Sequence, residues 1–214
     1  MKLQIFAAGI STSAMLFLTA CGTTTTIYDP AVTQTNIRQE GNISSEEMRQ
    51  VTRAAVHGAM TNVKFQTFLR KYKKEMNDPD AIPVLKLDRT INDTDDPDLN
   101  VSEITDMLNE ELINAGKVDV TMAEGAGRTK AIANSRKLED DENFDQKTVA
   151  KRGTLQAARL VLRPKVISNT VRDGNRKAVT RTFVMEMADV RTGLIMWKFT
   201  KQLAFMKERG TFGW

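Results

Sequence analysis

Three long segments in the last third of the chain constrain its fold more than any other feature. They span residues 160–170, 177–190 and 194–204. In the middle segment, Phe183, Met185 and Met187 alternate with residues of mixed polarity, and short turns rich in Gly, Asp, Asn and Thr separate the three segments. Successive side chains of a strand point to opposite faces, and short turns join antiparallel neighbours. The pattern therefore predicts two consecutive hairpins, an antiparallel meander with one decidedly apolar face.

Two helices are predicted ahead of this meander. Ser44 and Glu47 have the spacing of a capping box, in which each side chain satisfies the other's backbone N–H. A first helix therefore begins here, and a second runs from about residue 61 to 76, where Asn77-Asp78-Pro79 ends it. The apolar positions of the two helices recur at helical spacing: Met48, Val51, Ala55 and Ala59, then Phe65, Phe68, Leu69, Tyr72 and Met76.

The middle of the chain predicts a strand, a helix and a second strand. Residues 81–91 contain five large apolar residues and are predicted to form the first strand. The polar loop 92–100 then leads to a helix that Asn100 caps and Gly116 ends. Alternation around Val118 and Val120 predicts the next strand. A helix is also expected over 128–140, with Ala131, Ile132 and Leu138 facing inward, followed by a short helix that Asp145 caps and that buries Val149. The predicted fold class is α/β (α+β): a mixed, largely antiparallel sheet of four to five strands flanked by helices.

The start of the chain has the order of a secretory signal. Lys2 precedes an apolar run over 5–18, which is shorter than the roughly 20 residues that a spanning helix needs. Leu18-Thr19-Ala20-Cys21 follows and resembles the lipobox of bacterial lipoproteins. The resemblance implies cleavage after residue 20 and acylation of Cys21. The alternatives are an ordinary signal peptide with a chance cysteine, or an uncleaved anchor.

Residues 22–42 are rich in Thr, Gln, Asn and Gly, and their apolar groups are too sparse to offset the entropy of ordering. We interpret residues 21–43 as the lipidated cysteine with a flexible tether, and residues 44–214 as a single globular domain. Stretched fully, a tether of roughly 21 residues reaches about 70 Å. The domain should therefore stay close to the membrane that holds its anchor.

Composition excludes several classes of function. Loss of residues 1–20 removes Lys2 and lowers the formal net charge from +4 to +3, which is too balanced for a nucleic-acid-binding protein. Cys21 is the only cysteine in the sequence, so neither a disulfide nor a thiolate metal site can form. The single histidine, His57, lies opposite the apolar stripe of its helix and is expected to be solvated.

Neither an enzyme site nor a metal or cofactor site is indicated by the motifs. The Asp-rich loop around Asp93, Asp95 and Asp96 lacks the glycine and the terminal ligand of an EF-hand, so loop and capping roles are expected. Gly125-Ala126-Gly127 lacks the lysine and hydroxyl that follow a phosphate-binding loop. No nucleophile with a base is visible. We therefore expect a binding or regulatory protein without catalytic residues.

Between residues 82 and 205 the chain resembles a known family. Ile91-Asn92-Asp93-Thr94 follows the first strand, Gly116 ends the next helix, and the last hairpin carries Asp189-Val190-Arg191-Thr192-Gly193 with Trp197 four residues further on. These features are similar to the LpoB family, outer-membrane lipoproteins that activate a class A penicillin-binding protein. The resemblance implies a TolB N-terminal-like fold, an activating role in peptidoglycan synthesis, and an acyl-anchored position facing the periplasm. Gly22 fits this location, since it is not the Asp associated with inner-membrane retention in enteric bacteria.

Basic residues along the first hairpin are the predicted anchors for an acidic surface of such a partner. They are Arg163, Lys165, Arg172, Arg176, Lys177 and Arg181. The alternative is a solvated sheet edge that its charges protect against strand pairing.

Two other functions stay open. A lipoprotein subunit of an envelope assembly or secretion complex is the second hypothesis, because the curli-secretion lipoprotein family shares this kind of domain. A periplasmic hydrolase is the third. It predicts a polar pocket with perturbed carboxylates near Asp119, Glu186 or Asp189.

Overall fold

A computed structural model of the chain describes residues 43–128, 130–174 and 176–208. Over these residues the chain forms four α-helices and six strands. In chain order they are α1 (Ser45–Thr61), α2 (Val63–Met76), β1 (Val84–Leu87), β2 (Ile91–Asp93), α3 (Val101–Ala115), β3 (Asp119–Val120), α4 (Lys130–Lys137), β4 (Leu160–Asp173), β5 (Arg176–Asp189) and β6 (Ile195–Glu208). The signal peptide, Cys21 and nearly all of the tether lie outside the described residues. No described helix is both long enough and apolar enough to cross a membrane.

The helix boundaries follow from side-chain caps. The Ser44 hydroxyl accepts a hydrogen bond from the Glu47 N–H at 3.2 Å, and the Glu47 carboxylate accepts from the Ser44 N–H at 3.1 Å. Asn62 ends α1 and also caps α2, since its side-chain oxygen accepts from the N–H of Lys64 at 2.9 Å. Asn77 ends α2 in the left-handed conformation, with φ 53°. The predicted start of α1 and the predicted end of α2 are confirmed, and α2 begins two residues after the predicted residue 61.

The meander forms as predicted, and its strands are longer than the sequence pattern indicates. β5 pairs antiparallel with β4 from Asp173↔Arg176 to Leu160↔Asp189, and with β6 on its other side. Odd-numbered residues of β5 from 179 to 189 are buried, whereas even-numbered residues from 178 to 188 are half-buried. Side chains of α1, α2 and α3 pack on the buried face and join Phe183, Met185 and Met187 in one core.

The prediction of one strand over 81–91 is wrong, because β1 and β2 are separate. Both pair parallel with β4, through Leu87↔Leu162 and Ile91↔Lys165. The Leu162 carbonyl accepts a hydrogen bond from the Asp88 N–H at 2.9 Å. Alternate residues of a strand direct their backbone groups to the same neighbouring strand, so the residue two positions after Leu162 also faces the β1 side of β4. That residue is Pro164, which has no N–H to donate. The ladder breaks there, and residues 88–90 leave the edge before β2 begins.

The sheet order is β3-β1-β4-β5-β6, with β2 beside β4. β1 and β3 are parallel, and α3 connects them, which confirms the predicted strand, helix and strand unit. The α+β class and the mixed, largely antiparallel sheet are likewise confirmed. Five strands lie on the main path, and β2 is the additional short strand that results from Pro164.

Two predictions for the segment between β3 and β4 are wrong. The helix expected from Asp145 is absent from this part of the chain: Asp145 instead forms a turn whose carbonyl accepts from the Thr148 N–H at 3.0 Å, and Val149 is only half-buried. The helix predicted over 128–140 forms as α4 followed by a 3₁₀ turn over Leu138–Asp140, but the prediction that Ala131 faces inward is wrong, because Ala131 is exposed. The cause is the scarcity of apolar side chains in this segment, since α4 contains no buried residue and most helical stability comes from burying a face.

Two glycines of this segment allow a prediction about its attachment to the sheet. Gly125 has φ +74°, and a Cβ added there would lie 2.5 Å from the carbonyl oxygen of Leu87 in β1. Gly153 has φ +78°, with open space around an added Cβ. Gly153→Ala should destabilise by about 1–2 kcal/mol, the cost of a left-handed alanine. Gly125→Ala should cost about 1–3 kcal/mol more, because it also displaces the turn from β1. Urea denaturation measures both, and equal losses would contradict the close packing.

Candidate functional site: the open face of the hairpins

The alternation of the strands separates the six predicted basic residues onto two faces. Leu160 pairs with Asp189, so even-numbered residues of β4 share the helix-covered face with odd-numbered residues of β5. Arg172, Lys177 and Arg181 belong to that covered side. Arg163, Lys165 and Arg176 belong to the opposite side, which we call the open face: the odd-numbered residues of β4 with the even-numbered residues of β5 and β6. The six residues therefore do not form one surface.

Arg181 differs most from its prediction as an exposed anchor. Its side chain is 3% exposed, and its guanidinium forms an ion pair with Asp96 in the loop after β2. The neighbouring Asp95 accepts hydrogen bonds from Ser168 at 2.6 Å and from Thr170 at 3.1 Å, and these two bonds lower its pKa. The loop thus uses its carboxylates to bind the end of the hairpin, and a buried Arg181 cannot reach a partner.

The open face combines half-exposed threonines with charged residues. Lys165 pairs with Asp93 at 2.9 Å, and Lys198 pairs with Glu186 at 2.8 Å. The hydrogen bond from Lys198 lowers the pKa of Glu186, and the positive charges of Arg163 and Lys165 add to the effect. The Glu186 carboxylate is therefore ionised, and the positive charges of Lys198, Arg163 and Lys165 compensate it.

Arg163 lies at a pocket of about 430 Å³ that the sequence did not predict. The pocket is formed where β1 ends and β2 begins, beside the Gly125 turn. Four of its lining residues are basic, Lys86, Arg89, Arg128 and Arg163, and we call it the basic pocket. Asp88 also lines it and pairs with Lys86 at 3.6 Å. Among the described residues, Arg89 and Arg128 have no ion-pair partner.

Sequence reasoning missed Lys86, Arg89 and Arg128 because they come from three separate segments. The break at Pro164 turns residues 88–90 away from the sheet, and the close approach of Gly125 to β1 brings Arg128 alongside. Guanidinium groups bind carboxylates and phosphates through two parallel hydrogen bonds. The basic pocket can therefore hold an acidic group of a partner.

The carboxylates named for a hydrolase do not form a catalytic arrangement. Asp189 is buried and accepts from Arg159 Nε at 3.0 Å and from the Arg191 N–H at 2.9 Å. Burial raises the pKa of Asp189, but these hydrogen bonds and the charge of Arg159 outweigh it, so the pKa is lowered. A general acid or base works best with a pKa near the operating pH. Asp189 is an ionised structural group, and Asp119 is exposed on the short strand β3.

Comparison with known families decides the class of the protein. The family model described as "Peptidoglycan-synthase activator LpoB" matches residues 47–203. The chain belongs to the LpoB family. The resemblance inferred from the loop after the first strand, Gly116 and the last hairpin is therefore confirmed.

Solved structures that are similar to the chain include LpoB proteins of low sequence identity. The LpoB C-terminal domain from Escherichia coli is 18% identical with a TM-score of 0.42, covering 73% of this chain and 98% of that one. The domain from Salmonella enterica is 17% identical with a TM-score of 0.37, covering 73% and 98%. Lipoprotein GNA1162 from Neisseria meningitidis is 14% identical with a TM-score of 0.36, covering 60% and 87%. No curated protein matches the sequence of this LpoB-family chain.

The family-like run from Asp189 to Trp197 has a clear physical role in this LpoB-family chain. Gly193 adopts φ 70°, and its N–H donates to the Asp189 carbonyl at 2.8 Å, which closes the turn between β5 and β6. Trp197 follows in β6 and lies 3.9 Å from the position of a Cβ added to Gly58 in α1. The run therefore closes the second hairpin and packs its start against α1.

The loop after β2 gives a prediction with a matched control. Asp96→Asn removes the negative charge that pairs with the buried Arg181 and should cost about 3–5 kcal/mol, because breaking the ion pair of a buried charge is strongly destabilising. Asp93→Asn removes the exposed pair with Lys165, whose side chains are 58% and 38% exposed, and should cost less than about 1 kcal/mol. Chemical denaturation of both variants measures the difference. Similarly small losses in the free energy of unfolding would show that the Asp96–Arg181 ion pair is not a major source of stability.

Proposed function

We propose that the protein is an outer-membrane lipoprotein, facing the periplasm, that binds a class A bifunctional penicillin-binding protein and activates its synthesis of peptidoglycan. The observation that carries this proposal is the family match over residues 47–203, since the family is described as a peptidoglycan-synthase activator. The activator works without a catalytic group of its own. It binds a noncatalytic domain of the synthase and favours the synthase's active conformation.

The open face with its basic pocket is the proposed contact surface. Helices α1–α3 cover the other face of the sheet, whereas Arg163, Arg89 and Arg128 are exposed at one end of the open face. Arginine is enriched at protein interfaces because its guanidinium pairs with carboxylates in a fixed geometry. The partner surface is accordingly acidic.

The tether limits where this contact takes place. A tether of about 21 residues after Cys21 reaches about 70 Å when fully stretched. A synthase anchored in the inner membrane must therefore extend its regulatory domain most of the way toward the outer membrane. The proposal places the meeting point near the activator's own membrane.

The direct test measures the glycosyltransferase rate of a purified class A synthase from the same cell with and without the protein. We expect faster glycan polymerisation and capture of the synthase in a pull-down. If neither occurs with any class A synthase of that cell, the proposal is wrong.

Paired charge reversals test the contact surface. Arg128→Glu with Arg163→Glu should lower the affinity for the synthase by at least about tenfold, since truncating interface arginines costs one to several kcal/mol and reversal adds repulsion. Arg172→Glu with Lys177→Glu changes the charge equally on the helix-covered side and serves as the control. Isothermal titration with wild-type synthase gives both affinities. A larger loss in the control would move the contact to the other side of the hairpin.

The anchor has its own test. Cys21→Ser should abolish incorporation of labelled palmitate and release the protein from the outer-membrane fraction, because a sulfur atom is needed for the thioether lipid and stable anchoring depends on the acyl chains. Metabolic labelling with membrane fractionation measures both properties. A wild-type chain that takes up no label would overturn the lipoprotein assignment, while the synthase assay would still stand on its own.

A further inference from the structure

A second surface, which shares no lining residue with the basic pocket, lies between α2 and the turn that joins β5 to β6. It is a groove of about 500 Å³, within the size range of ligand-binding clefts. Val63, Phe68, Tyr72, Leu194 and Met196 supply its apolar lining. We call it the α2 groove.

The floor of the α2 groove is held rigid by Arg159. Its guanidinium lies 5.5 Å from the ring centre of Phe68 and 5.9 Å from that of Tyr72, in cation–π geometry. The same group pairs with Asp189 at 3.0 Å and with Glu75 at 3.4 Å. The hydrogen bond that Arg159 donates to Asp189 raises the pKa of Arg159 above its already high value, so the guanidinium is always charged. A floor fixed by contacts on several sides loses little entropy when a ligand binds.

The rim of the groove exposes large aliphatic side chains. Leu194 is 67% exposed and Val63 is 77% exposed. Val190, in the same turn as Leu194, and Ile195, the first residue of β6, are each 53% exposed, and neither lines the groove itself. Tight turns are normally built from Gly, Asn, Asp and Ser. Exposed aliphatic residues at the edge of a groove, beside polar residues, are typical of interaction sites.

The charge of the groove is positive once internal pairs are counted. Glu75 and Asp189 are its acidic residues, and both are bound by Arg159, with Arg191 also pairing to Glu75. Lys64 and Lys71 also line the groove, and within the described part of the chain neither has an ion-pair partner. Two lysines therefore remain to attract negative charge.

We propose that the α2 groove binds a segment of a partner protein in which an aliphatic or aromatic side chain is flanked by acidic residues. The apolar side chain contacts Leu194 and Val63 above the aromatic floor, and the acidic residues pair with Lys64 and Lys71. The concave shape favours an inserted side chain over the flat surface of a bilayer. This inference concerns a different surface from the proposed synthase contact and does not depend on it.

The test selects from a random dodecapeptide library on the full-length chain, with no synthase present. We expect recovered peptides to combine Asp or Glu with Leu, Phe or Trp. Leu194→Ser and the double variant Lys64→Glu with Lys71→Glu should each weaken their binding by about tenfold or more, as measured by fluorescence anisotropy. All three positions are exposed, so the variants should fold.

Two matched controls distinguish peptide binding in the groove from nonspecific electrostatic or hydrophobic binding. Val171→Ser removes another aliphatic side chain, 58% exposed, near the far tip of the hairpin. Lys117→Glu with Lys137→Glu reverses two exposed charges elsewhere. Neither should change peptide affinity. The inference fails if recovered peptides are not acidic, or if the controls weaken binding as much as the groove variants.

Vesicles of phosphatidylglycerol and phosphatidylethanolamine form a separate arm of the experiment. Vesicle binding that Leu194→Ser abolishes, together with no groove-dependent peptide, would overturn the inference in favour of a membrane surface. Failure of the synthase assay alone would leave these peptide results unchanged, so the two proposals are tested independently.

Discussion

β5 is hydrogen-bonded to β4 along its full length on one side and to β6 along nearly all of its length on the other. Because side chains alternate along these ladders, one register decides which residues enter the core and which face solvent. A shift by one residue would expose Phe183, Met185 and Met187 and would bury their polar neighbours. The helices can pack only where that apolar face is presented. The two proposed binding surfaces both depend on this register.

Structural features that depend on residues close to each other in sequence could be predicted. The capping box at Ser44, the left-handed Asn77 and the alternation in β5 are local, and each set the element that was expected. The break between β1 and β2 was not predictable in the same way, because Pro164 acts across the sheet on a strand about 75 residues earlier. The helix expected from Asp145 does not form, for a different reason. Its capping residue was present, but the segment had no apolar face to bury.

The composition of the candidate surface could be predicted only in part from the sequence. Arg163 and Lys165 have odd numbers and Arg172 an even one, so alternation along β4 already places them on different faces. The hairpin register completes the separation by setting Lys177 opposite Arg172. Lys86, Arg89 and Arg128 could not be assigned, since only the folded sheet brings their three segments to Arg163. Local rules thus give the faces of a strand, and non-local packing gives the composition of a pocket.

An activator without catalytic groups is limited by how differently it binds two states of its partner. If the protein acts as proposed, a tenfold activation needs only about 1.4 kcal/mol of preference for the active state. A charge-assisted hydrogen bond contributes about 1.5–3 kcal/mol, so one arginine contact made in the active state alone would suffice. Exposed arginines at a shallow pocket are suited to this role, because they need not unfold or rearrange the core to form or lose such a contact. Under this proposal, the sheet holds Arg163, Arg89 and Arg128 together while the partner changes conformation.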